Sequence, residues 1–105
     1  MTIPEYINVL RTTKYKQIPW VYIKGNDCCA YGVGVKTLCP TATDYVDATD
    51  EAMAEMNLLD RQLHTIGVSV RFLNDKGYEG KEHLDFLQIA DIVEEAYACH
   101  ELHSV

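Results

Sequence analysis

Trp20-Val-Tyr-Ile-Lys-Gly25-Asn-Asp-Cys-Cys29-Ala-Tyr-Gly32-Val-Gly34-Val-Lys36 is the stretch on which the fold turns. It holds the single tryptophan of the chain, two adjacent cysteines and three of the six glycines. Val21, Tyr22 and Ile23 favour a strand, and Gly25-Asn26-Asp27 favours a turn. Read alone, these residues make a hairpin whose second strand runs from Cys28 to Val35. The competing reading is a short helix, capped by Asn26 or Asp27 and stopped by Pro40. Gly32 and Gly34 weaken either element, by about 1 kcal/mol each in a helix. A glycine inside a packed helix usually marks the close approach of another backbone.

Upstream, Thr2 and Glu5 stand at capping-box spacing with Pro4 in the first turn, and Ile3, Tyr6, Ile7 and Leu10 share one face. Pro19 pushes Ile18 out of the helical region. Downstream, 41–48 reads as a polar connection. Thr49 then caps a helix whose apolar stripe is Ala52, Met56, Leu59, Leu63 and Ile66, closed by Gly67. Val68, Val70 and Phe72 alternate with polar residues, a strand signal short enough to be helix instead, and Asn74-Asp75-Lys76-Gly77 reads as a turn. In the last helix Phe86, Ile89, Ala90, Val93, Ala96 and Tyr97 face inward. The expected fold is a single domain over 1–105, mainly α, with helices near 3–15, 29–38, 49–66 and 81–102. The alternative is α+β, with a short hairpin around Val21–Ile23 and Val68–Phe72.

At 105 residues the chain has room for one core. The net charge of −7 is uneven: residues 1–40 carry five basic and two acidic groups, residues 41–105 four basic and fourteen acidic. That balance argues against nucleic acid, whose phosphates need a dense basic surface. No apolar run reaches the ~18 residues of a membrane span. Glu5 occupies a region where a signal peptide carries positive charge, so the expectation is a cytoplasmic protein with reduced cysteines.

Several groups invite a chemical reading. Gly32-Val-Gly34-Val-Lys36-Thr37 has some features of a phosphate loop, but a true one places glycine directly before the lysine. Cys99 and His103 lie one helical turn apart, and Cys28, Cys29 or Cys39 could complete a zinc site, yet no Cys-x-x-Cys pair is present. Cys29 at a helix start would have half of what lowers a thiol pKa, with no histidine near it in sequence. No metal and no cofactor are therefore expected.

Leu10-Arg11, Trp20, Lys24-Gly25, Cys29-Ala30-Tyr31-Gly32-Val33, Ile66, Asn74-Asp75 and a final helix with Ile92, Val93 and Ala96 together form a pattern. It resembles a family of small uncharacterised bacterial and phage proteins marked by Trp, Cys-Ala-x-Gly-Ala and a later Asn-Asp. Val33 replaces the usual alanine, and Leu73 stands where an aromatic is common. The resemblance implies a largely helical fold in which Cys29 opens a packed helix and Gly32 is a close-contact residue. It implies no activity. Two function classes follow. One is a non-catalytic interaction or regulatory protein, phage-encoded or bacterial, that docks another protein on an acidic helical face of Asp85, Asp91, Glu94 and Glu95. The other is a small enzyme or metal-dependent module with a pocket of Trp20, Cys29, Gly32, Asn74 and Asp75. A homo-oligomer is compatible with either.

Overall fold

The computed structural model describes residues 1–79 and 84–103. Its elements are helices α1 (Ile3–Thr12), α2 (Ala30–Leu38), α3 (Asp50–Thr65), α4 (Val70–Glu79) and α5 (Phe86–His103), and two-residue strands β1 (Lys16–Gln17), β2 (Ile23–Lys24) and β3 (Asp27–Cys28). The fold is mainly α with a small three-stranded sheet.

Helix α1 begins as its sequence demands. Thr2 Oγ1 accepts from Glu5 N, and Glu5 Oε1 accepts from Thr2 N, both at 3.2 Å. It ends at Thr12, short of the expected residue 15, because Thr13 turns extended and Lys16–Gln17 pair in parallel with β3. Strand pairing outweighs the helical propensity of Lys14–Lys16.

The ambiguous stretch is both hairpin and helix, in that order. Ile23 pairs with Cys28 and Lys24 with Asp27, antiparallel, around Gly25-Asn26. Gly25 takes φ +65°, a conformation that glycine adopts without steric cost at the first central position of a primed hairpin turn. The turn consumes Asn26 and strand β3 takes Asp27, so neither caps α2. Cys29 does, its Sγ accepting from Gly32 N at 3.4 Å. Gly32 is the close-contact residue expected of it: a Cβ there would lie 1.7 Å from the Tyr22 carbonyl oxygen.

Two further expectations are corrected. Val68–Phe72 is no strand and pairs with nothing around Val21, and 74–77 is no turn; most of this segment is α4. Val70 and Asn74 are fully buried one helical turn apart, whereas Phe72 is exposed, so the burial repeat is helical. Asn74 finds tertiary partners for its amide, which removes the local bond that would have made it a turn residue. The last helix starts at Phe86; the earlier start expected at Lys81 falls outside the described residues. Asp85 caps it, accepting from Gln88 N at 2.8 Å while Gln88 Oε1 accepts from Asp85 N at 2.9 Å.

The core lies between α1, α2, α3 and α5, around Tyr6, Leu10, Val33, Val35, Met56, Leu63, Ile89 and Val93, all almost wholly buried. Tyr6 donates its hydroxyl to the Ala30 carbonyl. This core holds α2 still, and α2 in turn carries the hairpin and the surface described next.

Candidate functional site

Asn74 organises the region. It is 0% exposed, and its amide uses its full bonding capacity. Oδ1 accepts from Ala30 N at 3.0 Å and from Gln17 Nε2 at 2.8 Å. Nδ2 donates to the Ile18 carbonyl at 2.9 Å and to Asp75 Oδ1 at 3.2 Å. One side chain on α4 thereby holds β1, the loop after it and the first turn of α2. Asp75 Oδ1 also accepts from Trp20 N at 2.8 Å. Trp20 has φ +64° and is the one non-glycine residue with positive φ among those described.

The five pocket candidates therefore converge, but on two sides of a wall. Cys29, Gly32 and Asn74 are buried behind it, and Trp20 and Asp75 face a cleft in front. Cys29 N donates to the Tyr22 carbonyl at 3.1 Å, the same carbonyl that crowds Gly32. Burial pushes the Cys29 thiol up to about 11 and the neighbouring Cys28 thiol up to about 12. A neutral buried thiol is a poor nucleophile, and Cys29 serves as a helix cap.

The cleft has a volume of about 880 Å³. Trp20, Tyr22, Tyr45 and Phe72 give it aromatic walls, with Asp44, Arg71 and Asp75 among its polar groups. Tyr45 is brought there by the connection after α2. Gly25 N donates to the Thr43 carbonyl at 2.8 Å, Lys24 and Asp44 form an isolated antiparallel backbone bridge, and Asp44 Oδ1 accepts from Val46 N to cap a 3-10 turn over Tyr45–Asp47. The Tyr45 ring meets the Tyr22 ring edgewise, centroids 5.7 Å apart at 86°. Tyr22 stacks on Tyr31 at 4.7 Å. The Arg71 guanidinium carbon lies 5.8 and 5.4 Å from the two ring centroids, and its Nη1 donates to Tyr22 Oη at 2.6 Å.

Behind this stack is the buried carboxylate of Asp60. Its Oδ2 is 3.6 Å from Arg71 Nη2 and 3.7 Å from His64 Nδ1. Its Oδ1 is buried with no hydrogen-bond partner among the described residues. Burial, with the Asp60 charge adding to it, raises the Tyr31 hydroxyl to about 12, and that hydroxyl donates to Asn57 Oδ1. Sequence reasoning missed Tyr22, Tyr31, Tyr45, Asp60, Arg71 and Phe72. One signal was available: Asp60 falls between Met56 and Leu63 at helical spacing, a carboxylate set in an apolar stripe.

The acidic face is largely occupied within the fold. Arg11 grips both Asp91 (2.9 Å) and Glu94 (2.8 Å), fastening α1 to α5, and its hydrogen bond lowers the Glu94 pKa. Asp85 is the cap of α5, while Glu95 is exposed. Lys36, from the segment resembling a phosphate loop, is 2% exposed. Its Nζ donates to the Ala42 and Gly25 carbonyls at 2.7 and 3.2 Å and lies 5.1 Å from the Tyr15 ring centroid, which gives it a structural role. Among the described residues no three His, Cys, Asp or Glu side chains gather as a metal site requires. The His103 side chain lies outside them. No helix among them is long and apolar enough to cross a membrane. Comparison with protein-family models, curated proteins and solved structures finds no match to the chain.

Proposed function

We propose that this is a non-catalytic interaction protein whose working surface is the aromatic cleft, in place of the acidic face of α5. The observation that carries this reading is Trp20. It is 61% exposed, yet it is held in a left-handed backbone conformation that costs a bulky residue on the order of 1–3 kcal/mol. Such strain persists where the surrounding structure enforces it, and here the Asp75 carboxylate does so. Of seven large hydrophobic residues exposed among those described, four line this one cleft: Trp20, Val21, Tyr45 and Phe72. Exposed aromatic residues gathered around a concavity are the composition of a partner-binding surface.

The enzyme reading has less support. Its one nucleophile, Cys29, is buried and neutral, and Asn74 is saturated with structural hydrogen bonds. The four unpaired thiols suit a reducing cytoplasm. The resemblance to small bacterial and phage proteins without an established activity sits comfortably beside this reading. Capture from the native host on immobilised protein tests it. A partner held by the wild type should be lost with Trp20→Ala/Phe72→Ala and kept with Glu95→Lys. Full retention by the double variant, with loss on Glu95→Lys, would return the role to α5.

A further inference from the structure

We infer that the aromatic cleft takes a cationic side chain, an arginine presented by a basic segment of a partner protein. This rests on the cleft being the working surface and adds the chemistry of what enters it. The inference comes from asking what any occupant does to the charges already there. Covering the cleft removes water from Asp44 and Asp75. Each is bonded through Oδ1 alone among the described residues, Asp44 to Val46 N and Asp75 to Trp20 N and Asn74 Nδ2. An apolar occupant would leave two carboxylates desolvated without a counter-charge, which is strongly unfavourable. An anionic occupant would meet them, and a chain of net charge −7, with like charge.

Arg71 does not offset them, because its charge is already engaged. Asp60 stands 3.6 Å behind it, and its guanidinium lies against Tyr22 and Tyr31 with Nη1 on the Tyr22 hydroxyl. Lys24, which meets Asp44 through a backbone β-bridge, does not line the cleft. What remains is a concavity with two carboxylates and the exposed rings of Trp20, Tyr45 and Phe72, at 61, 49 and 64% exposure. Aromatic faces attract cations, tryptophan most of all. A guanidinium suits them better than an ammonium, since it is planar, more weakly hydrated and able to bond a carboxylate while stacked on a ring. The chain itself contains the same arrangement in Arg71 on its tyrosine pair.

Because Trp20 is the only tryptophan, its fluorescence reports on the cleft directly. The probes are capped tetra-arginine, capped tetra-citrulline, which is its neutral near-isostere, and capped tetra-glutamate, at about 0.15 M salt, where remote charges are largely screened. Tetra-arginine should shift the Trp20 emission saturably, and the other two should bind at least tenfold more weakly. Asp44→Asn/Asp75→Asn keeps a side-chain oxygen acceptor at both positions and should weaken tetra-arginine at least tenfold without lowering the melting temperature. Glu51→Gln/Glu95→Gln removes the same charge elsewhere and should change binding less than twofold.

Equal binding of tetra-citrulline, equal loss in the two double variants, preferred binding of tetra-glutamate, or no response to tetra-arginine would each overturn the inference. The broader reading fails on different evidence, the retention of a captured partner by Trp20→Ala/Phe72→Ala. A cleft that answers to the neutral or anionic probe would keep that reading and discard the cation.

Discussion

Asn74→Ala is the perturbation that tests the architecture most directly. The alanine would remove the one bond made to Ala30 N among the described residues, at the buried start of α2, and the bond to the Ile18 carbonyl. Gln17 Nε2 would keep its second partner, the Leu84 carbonyl at 2.8 Å. Two backbone groups are then orphaned, one of them on a residue that is 0% exposed. A buried polar group left unpaired costs about 1–3 kcal/mol, so the expected loss is about 3 kcal/mol. Domains of this size shift by roughly 4–8 °C per kcal/mol, which places the melting temperature about 12–24 °C lower. Asn74→Asp retains the acceptor for Ala30 N and loses the donor to Ile18. It also sets a second carboxylate beside Asp75, so it should fall between wild type and alanine only at low pH. Circular dichroism at 222 nm, as is usual for helix, follows the melt. If Asn74→Ala melted within about 4 °C of wild type, roughly 1 kcal/mol, Asn74 would not be the clasp that these distances describe.

Gly32→Ala should cost more than the ~1–3 kcal/mol of ordinary overpacking, because its Cβ would fall 1.7 Å from a backbone oxygen that cannot rotate away; chemical denaturation measures it. Trp20→Gly and Trp20→Ala both delete the ring, so their difference isolates the backbone, and glycine should be the more stable by about 1 kcal/mol at φ +64°. Equal stability would mean that the left-handed conformation carries no strain. Alkali should destabilise the fold through its buried thiols. Cys28 and Cys29 ionise at about 12 and about 11 when folded, against 9.0 for an ordinary thiol. Stability is therefore whole below about pH 9 and falls from there towards 11–12, while only the unfolded chain gives up these protons. Cys28→Ala should flatten that decline in urea midpoints measured across the range, and an unchanged slope would assign the decline to other groups.

Much of the helical frame was legible because its signals are local. The Thr2/Glu5 capping box, the Thr49 cap and the stripe from Ala52 to Ile66 each specify a helix with no help from distant residues. What was not legible depended on contacts far apart in sequence. Asn74-Asp75 carries turn chemistry in isolation, and only its bonds to Gln17, Ile18, Trp20 and Ala30 explain why it sits in a helix. The hairpin and the helix of the opening stretch compete in the sequence, because a two-residue strand is too short for a period to appear. The cleft was half visible. Trp20 and Asp75 are pocket candidates in the sequence, but Tyr22, Tyr45 and Phe72 come from three separate segments, and no spacing rule links them.

Asn74 and Asp75 are adjacent on α4 and divide the work between the two sides of the wall. Asn74 points inward and ties backbone to backbone, whereas Asp75 lies in the cleft and fixes the orientation of Trp20. Their shared bond, Asn74 Nδ2 to Asp75 Oδ1 at 3.2 Å, joins the clasp of the fold to the residue that presents the tryptophan. The coupling is one-way in its consequences. Loss of Asn74 loosens β1, α2 and, through Asp75, the cleft. Loss of Asp75 takes the carboxylate from Trp20 N and leaves Asn74 its three bonds outside α4, to Gln17, Ile18 and Ala30, so the core stays closed while the tryptophan relaxes. A surface that must meet a partner is thus built on a residue pair whose inward member secures the helix and whose outward member can be altered alone.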